Sequence, residues 1–230
     1  MTSCPRRVVI VGLGNYTHPL TKHSVGQLLL QNLARRAASV PRATGSAHLS
    51  LSKPFPRATT SSWTTQITVH HSDNSDSLEL LFIQPKALMN VCGKTILDAA
   101  RAFLPPVSTP TTTVGQLKPI LKLVVLSDDL DLAPGRSRAQ RAGGPRGHNG
   151  VRSLVAALGG TRDFHRFWVG IGRPPGHEHH ERGHGVARWV LGPLSREEVA
   201  AVEWDDDAKR GGPVLEAAWR EVLRIGFEEG

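Results

Sequence analysis

Short apolar runs alternate along the chain with segments whose apolar residues recur at helical spacing. Val8–Val11 is a β-branched run that ends at a glycine turn, which indicates a buried strand. Ser24–Ala38 follows with the periodicity of an amphipathic helix. Strands that alternate with helices predict the α/β class, here a single-domain three-layer α/β/α sandwich with a mixed, mainly parallel central sheet. Further strands are predicted at 63–69, 78–84, 121–126, 136–141 and 167–171, and further helices at 89–103, 147–158, from 195 onward and at 213–226.

Polar segments interrupt this pattern. Residues 39–62 contain scattered Pro, Ser and Thr, and residues 105–119 are rich in Pro and Thr. Such composition favours segments that pack few side chains. We therefore predict one domain over residues 1–230, with polar flexible insertions near 39–62 and 105–119. A third loop, rich in His and Gly, is predicted at 174–185.

The charge of the chain narrows the class of partner. Its 28 Lys and Arg against 20 Asp and Glu give a formal charge of +8, which favours a polyanionic partner. No apolar run approaches the roughly 20 residues that a membrane helix needs, so nucleic acid is preferred over a membrane. The two cysteines, Cys4 and Cys92, are few and far apart in the sequence, so no disulfide framework is expected. They fit a reducing compartment, the cytoplasm, with the mitochondrion as an alternative.

Four polar clusters follow predicted strands or open a predicted helix. The carboxyl ends of parallel strands meet at one edge of a sheet, where ligands bind in open α/β folds. One pocket is therefore expected to collect all four clusters. They are Gly12–Asn15 with Thr21–Gly26, Pro85–Asn90, Ser127–Leu132 and Gly143–Gly150.

In this order, the clusters resemble the motif set of the bacterial-type peptidyl-tRNA hydrolase family. No single block is specific, but the ordered set is. The resemblance runs from about Val8 to Glu198 and is interrupted at 39–77 and 105–119. The matching blocks are Gly12–Asn15, Thr21–Gly26, Met89-Asn90 with Gly93, Asp128–Leu132, Gly147–Gly150, Val169–Pro174 and Val190–Pro193.

The resemblance implies an esterase that uses no metal and no cofactor and cuts the bond between a peptide and its tRNA. His23 would be the base that activates water, and Asp128 would accept a hydrogen bond from its other ring nitrogen. Asn15 would act in catalysis beside them, and Asn90 and Asn149 would help to hold the peptide, the ester and the water. An activated ester needs a base near neutral pKa and amide donors, not a covalent nucleophile. Further substrate contacts are expected from Tyr16, Met89 and His148, the last of which could instead hold the glycine loop.

Simpler explanations exist for single residues of this set. A histidine before a helix is often a cap or a surface residue, so His23 alone would not indicate catalysis. Asn15 could occupy its loop because Asn tolerates positive φ, and Asp128 could cap a turn. The joint occurrence of the clusters favours the functional interpretation.

Binding of tRNA is expected through phosphates, by arginines in the segments that flank the asparagine-rich loop. The candidates are Arg138, Arg141, Arg146 and Arg166. Many relatives carry Lys or Arg where this chain has Gln140 and Trp168, so the neighbouring arginines would take over that role. The loop after Asn15 is also two residues shorter than the usual bacterial form. The enzyme is expected to act as a monomer.

Three alternatives remain open. His180–His184 fits the H-E-x-x-H pattern of zinc peptidases, but Gly183 and the surrounding glycines disfavour the helix that this site needs. A catalytically inactive RNA-binding relative on the same fold would keep the tRNA surface without turnover. A dinucleotide-binding oxidoreductase is disfavoured because Gly12-Leu13-Gly14 lacks the third glycine of the fingerprint.

Overall fold

A seven-stranded sheet forms the centre of the computed structural model, which describes residues 6–41, 43–45, 62–70, 76–103, 122–175 and 184–227. The strands of this sheet are β1 (Arg6–Gly12), β2 (Thr44–Gly45), β3 (Ser62–His70), β4 (Ser77–Pro85), β5 (Lys122–Asp129), β6 (Ser137–Arg141) and β7 (His165–Gly170). Their order is β2-β3-β4-β1-β5-β7-β6. The pairs β4·β1, β1·β5 and β5·β7 are parallel, whereas β2, β3 and β6 pair antiparallel at the two sides. The predicted mixed, mainly parallel sheet is confirmed.

β4, β1 and β5 each contribute side chains to two hydrophobic cores, because successive residues of a strand face opposite sides. In β1, Val8 and Ile10 belong to one core, and Val9 and Val11 belong to the other. All four side chains are fully buried. This explains why the central strands read as continuous apolar runs, as is typical of parallel strands covered on both faces.

Helices cover both faces of the sheet. The described residues form α1 (Val25–Ala38), α2 (Cys92–Phe103), α3 (Asn149–Ala157), α4 (His184–Val190), α5 (Arg196–Val202) and α6 (Pro213–Phe227). α1, α5 and α6 pack into one core, and α2 and α3 pack into the other, which confirms the three layers. None of these helices is long and apolar enough to cross a membrane.

The start of α1 lies directly against the carboxyl ends of β1 and β5 because Gly26 has no side chain. A Cβ atom at Gly26 would come within 2.4 Å of the backbone oxygen of Leu126 and within 2.7 Å of that of Leu13. No real side chain fits at such distances, so the close approach requires glycine. The turn that precedes α1, which carries His23, is thereby brought to the edge of the sheet where the polar clusters meet.

Several elements differ from the prediction. β5 was expected to end at Leu126 but continues through Asp129, because Ser127, Asp128 and Asp129 pair with β7. α4 begins at His184, inside a segment predicted as loop, and the ribbon of β8 (Trp204–Asp205) and β9 (Arg210–Gly211) had no sequence signal.

The predicted loop segments are described only in part. Within 39–62, Thr44 and Gly45 pair with β3, so that segment includes a short strand. Residues 46–61 and 104–121, which hold most of the two predicted insertions, lie outside the described residues. Residues 176–183 also lie outside them, so the interpretation of the H-E-x-x-H segment stays a prediction.

Candidate active site

Three polar side chains meet at the carboxyl edge of the sheet. His23 lies in a 3-10 turn (Lys22–Ser24) before α1, Asp128 lies near the end of β5, and His148 immediately precedes α3. Nδ1 of His23 is 2.8 Å from Oδ1 of Asp128, and Nε2 of His148 is 3.1 Å from the same oxygen. We call these residues the histidine–aspartate group. The clusters that supply them belong to one site, as their positions after the strands predicted.

The backbone at the start of α3 fixes the protons of this group. Nδ1 of His148 accepts hydrogen bonds from the backbone N–H groups of Gly150, at 3.1 Å, and Val151, at 3.3 Å. An accepting ring nitrogen carries no proton, so the proton of neutral His148 is on Nε2, which donates to Asp128. The ionised Asp128 can only accept, so Nδ1 of His23 donates to it as well. The lone pair of the His23 imidazole is therefore on Nε2.

Exposure distinguishes the two histidines. The side chain of His23 is 16% exposed, whereas those of Asp128 and His148 are 5% and 6% exposed. His148 thus lies beneath the site, where it caps α3 and orients Asp128. Of the two roles considered for His148, this geometry corresponds to holding the glycine loop.

The charges within the group shift the pKa values of His23 and Asp128. Burial disfavours the imidazolium and would lower the pKa of His23, but the charge of Asp128 and its hydrogen bond outweigh burial and raise that pKa above its ordinary value. Burial would raise the pKa of Asp128, but the two histidines hold it far below the usual carboxyl range. Asp128 is therefore a carboxylate at neutral pH, and His23 is a stronger base than a free imidazole.

The same three side chains are also a possible metal-ligand set. Their ligand atoms lie within 4.8 Å of one another, and they are the one such group found within the described ranges. A histidine ligand, however, needs an unprotonated nitrogen facing the ion. The nitrogen of His148 that faces Asp128 carries the proton, because its other nitrogen accepts two backbone N–H groups. The donor set fits a proton-handling group better than a metal site.

Three asparagines lie in the loops and helix starts at the same edge of the sheet as His23. The backbone of Asn15 exchanges hydrogen bonds with the hydroxyl of Ser24, at 3.0 and 3.3 Å, which ties the first polar loop to the turn of His23. Asn90 lies in a 3-10 turn (Met89–Val91) before α2, and Asn149 is the first residue of α3. Asn90 and Asn149 are exposed and Asn15 is half-buried, and their side-chain amides make no hydrogen bond to any described residue. They are therefore available to a ligand.

We call the region around the histidine–aspartate group, at the carboxyl edge of the sheet, the cleft. Met89 and Tyr16 lie in two different loops at this edge. Met89 is buried, and a Cβ atom at Gly150 would lie 2.5 Å from its sulfur, so Met89 packs closely against the start of α3. Tyr16 is exposed and meets Trp63 of β3 edge to face, with ring centroids 5.9 Å apart. The ammonium group of Lys86 lies 4.3 Å from the centre of the Trp63 ring. Lys86 belongs to the predicted cluster Pro85–Asn90, but nothing in the local sequence indicated Trp63 as its neighbour, because only the antiparallel pairing of β3 with β4 brings Trp63 there.

Three arginines on β6 or in the loop after it pair with carboxylates, and the register of β6 with β7 places Arg138 nearer than Arg141 to the carboxyl edge of the sheet. Arg138 contacts Asp129 at 3.1 Å, and Arg146 contacts Asp131 at 2.7 Å. Arg141, on the same edge strand, is 3.2 Å from Asp163. The three arginines are exposed, so their guanidinium groups can also reach a ligand in solvent.

Arg166 differs from the other three arginines. Its side chain is buried, and its guanidinium group donates to the carbonyl oxygens of Gly143 and Gly144. The expectation that Arg166 contacts phosphate is therefore corrected: the side chain supports the glycine loop from inside. Trp168 is buried and Gln140 is exposed. Neither side chain is charged, so these two positions supply no cation to this surface.

The comparisons with known proteins agree with one another. The sequence model of the family described as peptidyl-tRNA hydrolase matches residues 9–211. The peptidyl-tRNA hydrolase of Symbiobacterium thermophilum is 32% identical over 197 residues, which cover 84% of this chain and 84% of that protein. That of Nocardia farcinica is 32% identical over 232 residues, which cover 96% of this chain and 92% of that protein. A crystal structure of peptidyl-tRNA hydrolase from Acinetobacter baumannii matches 97% of this chain and 93% of its own with a TM-score of 0.58 and 19% identity, which shows a shared fold.

Proposed function

The chain belongs to the peptidyl-tRNA hydrolase family and hydrolyses the ester bond between a peptide and its tRNA, and we propose that His23 is the general base of this reaction. The observation that carries the proposal is the fixed direction of the hydrogen bonds in the histidine–aspartate group. Asp128 accepts from both histidines, so the free lone pair is on Nε2 of His23, the most exposed of the three side chains. A base must be unprotonated and within reach of water, and His23 meets both conditions.

In the proposed reaction, a water molecule attacks the ester carbonyl carbon while Nε2 of His23 takes one of its protons. The imidazolium that forms is stabilised by Asp128, 2.8 Å from Nδ1. The tetrahedral intermediate then expels the ribose oxygen of the tRNA, which takes the proton back from His23. The products are a peptide with a free carboxylate and a deacylated tRNA, and no covalent enzyme intermediate is formed.

Amide side chains are proposed to stabilise the developing oxyanion and to orient the substrate. The N–H groups of Gly150 and Val151 at the start of α3 are occupied by His148, so they are not available for that role. The side-chain amides of Asn15, Asn90 and Asn149, which bind no described residue, are the donors that we propose instead. Because an amide binds the main chain of a peptide without reading its side chains, these residues suit a substrate of variable sequence.

The apolar part of the cleft is proposed to hold the peptide. Among the described residues, the large exposed apolar side chains all lie on segments at this edge of the sheet. Exposed apolar groups collected at one place are typical of a binding surface. These side chains are Tyr16, Leu20, Leu88, Val91 and Leu191.

The tRNA is proposed to extend from the histidine–aspartate group along the edge strand β6. Arg138, Arg141 and Arg146 are the cations available there, and phosphate contacts would position the tRNA without reading its bases. An enzyme that acts on many tRNAs needs such contacts. We further propose that the enzyme works as a monomer in the cytoplasm, where peptidyl-tRNA is formed; the mitochondrial matrix would supply the same substrate.

The test is turnover of an N-acetylated aminoacyl-tRNA, compared with the same aminoacyl-tRNA carrying a free amino group. We expect release of the N-acetylated amino acid and much slower release of the free one, because the free α-ammonium lacks the amide that the asparagines would bind. Binding of both RNAs without any release would instead favour the RNA-binding alternative.

A further inference from the structure

The turn that carries His23 is short, and its own hydrogen bonds do not fully determine its position. It consists of Lys22, His23 and Ser24, and its first residue is preceded by Thr21, whose side chain makes no capping hydrogen bond to the turn's backbone. The hydroxyl of Ser24 binds Thr21 and the backbone of Asn15, which fixes the side of the turn that faces β1. The opposite side of the turn is held by a different part of the chain.

Lys22 makes that second attachment. It is buried although it is a lysine, and its ammonium group lies 2.6 Å from both carboxylate oxygens of Glu198. The same ammonium group is 4.7 Å from the centre of the Trp189 ring. A buried lysine is rare unless it is paired, so this arrangement indicates a specific attachment and not a solvated surface charge.

Glu198 is itself held in place by the start of α5. One of its carboxylate oxygens accepts the backbone N–H of Ser195 at 2.7 Å, which closes a capping box at that helix. Two backbone hydrogen bonds run beside the ion pair, from Lys22 to the oxygen of Gly192 and from Leu194 to the oxygen of Leu20. The turn of His23 is thus joined to residues 189–198 by its backbone and by one buried charged side chain.

We propose that Lys22 and Glu198 are positioning residues that hold the turn of His23 at the distance Asp128 requires. The inference rests on the proposed role of His23. Neither Lys22 nor Glu198 belongs to the histidine–aspartate group, and each acts through the backbone of the turn. Catalysis depends on geometry steeply, since a displacement of about 1 Å can lower a rate by about 10²-fold.

The test compares variants that remove the pair with one that removes a similar pair elsewhere. Lys22→Met keeps most of the apolar stem, and Glu198→Gln keeps an acceptor for Ser195. The double variant leaves no unpaired charge buried, so it should recover the stability that either single variant loses. The control is Glu216→Gln, which removes the partner of Arg36, 3.1 Å away, between α1 and α6.

We expect the double variant to show a kcat about 10–10²-fold below wild type, with KM and the affinity for uncharged tRNA unchanged. The NMR signal of the Nδ1 proton of His23 should also shift or broaden, because its hydrogen bond to Asp128 is no longer held at one length. The control variant should keep both the kcat and this signal. A purely structural role of the pair would lower the melting temperature and leave kcat per folded enzyme as in wild type, which would overturn the inference.

His23→Ala in the same assay separates this inference from the proposed function. If His23→Ala retains turnover, the role of His23 is wrong. If His23→Ala is inactive while the folded double variant has a wild-type kcat and proton signal, the role of His23 stands and only the positioning role of Lys22 and Glu198 fails.

Discussion

Replacement of Asp128 by asparagine tests the electrostatic part of the site. Both histidines bind the same oxygen, Oδ1, at 2.8 and 3.1 Å. In Asp128→Asn, the amide oxygen must face both histidines, because an NH₂ group there would meet the proton on Nε2 of His148. That proton is fixed by the two backbone N–H groups that Nδ1 of His148 accepts. The variant should therefore keep the productive tautomer of His23 and lose only the negative charge.

The size of the effect follows from the lost charge. A hydrogen bond to a charged group contributes about 1 to 1.5 kcal/mol more than a neutral one, which corresponds to about tenfold in rate. At the other limit, opposite charges about 4 Å apart attract by about 4 kcal/mol at an effective dielectric of about 20, or about 10³-fold. The two figures describe the same interaction, so we expect kcat to fall by about 10–10³-fold. A wrong tautomer would cost more, about 10⁴-fold as in a serine protease triad.

The assay is single-turnover release from N-acetylated aminoacyl-tRNA over a range of pH. Loss of the carboxylate leaves burial as the main influence on His23, so the pKa of His23 should fall and the acid limb of the profile should move to lower pH. The matched control is Asp129→Asn in the same strand, which pairs with Arg138 and not with a histidine. A wild-type rate and acid limb in Asp128→Asn would refute the reasoning, and a loss of about 10⁴-fold or more would show that the tautomer is not held by His148.

Three further outcomes are expected. In the wild type, kcat/KM should fall on the acid side at a pH above about 6.5, the ordinary imidazole value, because His23 must be neutral and its pKa is raised; an acid limb below that value would contradict this. Binding of uncharged tRNA measured over a salt series should show a shallower slope of log affinity against log salt in Arg138→Ala and in Arg141→Ala, by about 0.7–0.9 each. Neither variant should change kcat. Unchanged slopes in both variants would mean that the tRNA lies elsewhere. Addition of a chelator should leave turnover unchanged, since His148 presents a proton and not a lone pair to Asp128; loss of activity restored by zinc would reverse this view.

The fold was largely predictable because burial on both faces of the central strands leaves a strong sequence signal. Runs such as Val8–Val11 are continuous and apolar, and the amphipathic pattern of α1 stands directly after one of them. The end of β5 was not predictable in the same way. Asp128 and Asp129 have the composition of a turn, and only the pairing with β7 makes them part of a strand.

The sequence predicted which residues belong to the candidate site better than it predicted what each residue does there. The order of polar clusters after strands was enough to expect His23 and Asp128 in one pocket. The burial of Arg166 was not foreseeable, because its sequence neighbours do not show that its side chain turns inward to the carbonyl oxygens of Gly143 and Gly144. Trp63 and Lys22 were also missed, since their contacts join segments that are far apart in the sequence.

The most direct test of the account is single-turnover hydrolysis of N-acetylated aminoacyl-tRNA by His23→Ala, with binding of uncharged tRNA measured on the same preparation. If Nε2 of His23 is the base, the rate should fall by about 10²–10⁴-fold. The affinity for tRNA should stay near that of the wild type, because the phosphate contacts are proposed to come from arginines on the β6 side of the cleft. A folded His23→Ala enzyme that hydrolyses the substrate at the wild-type rate would contradict the central claim.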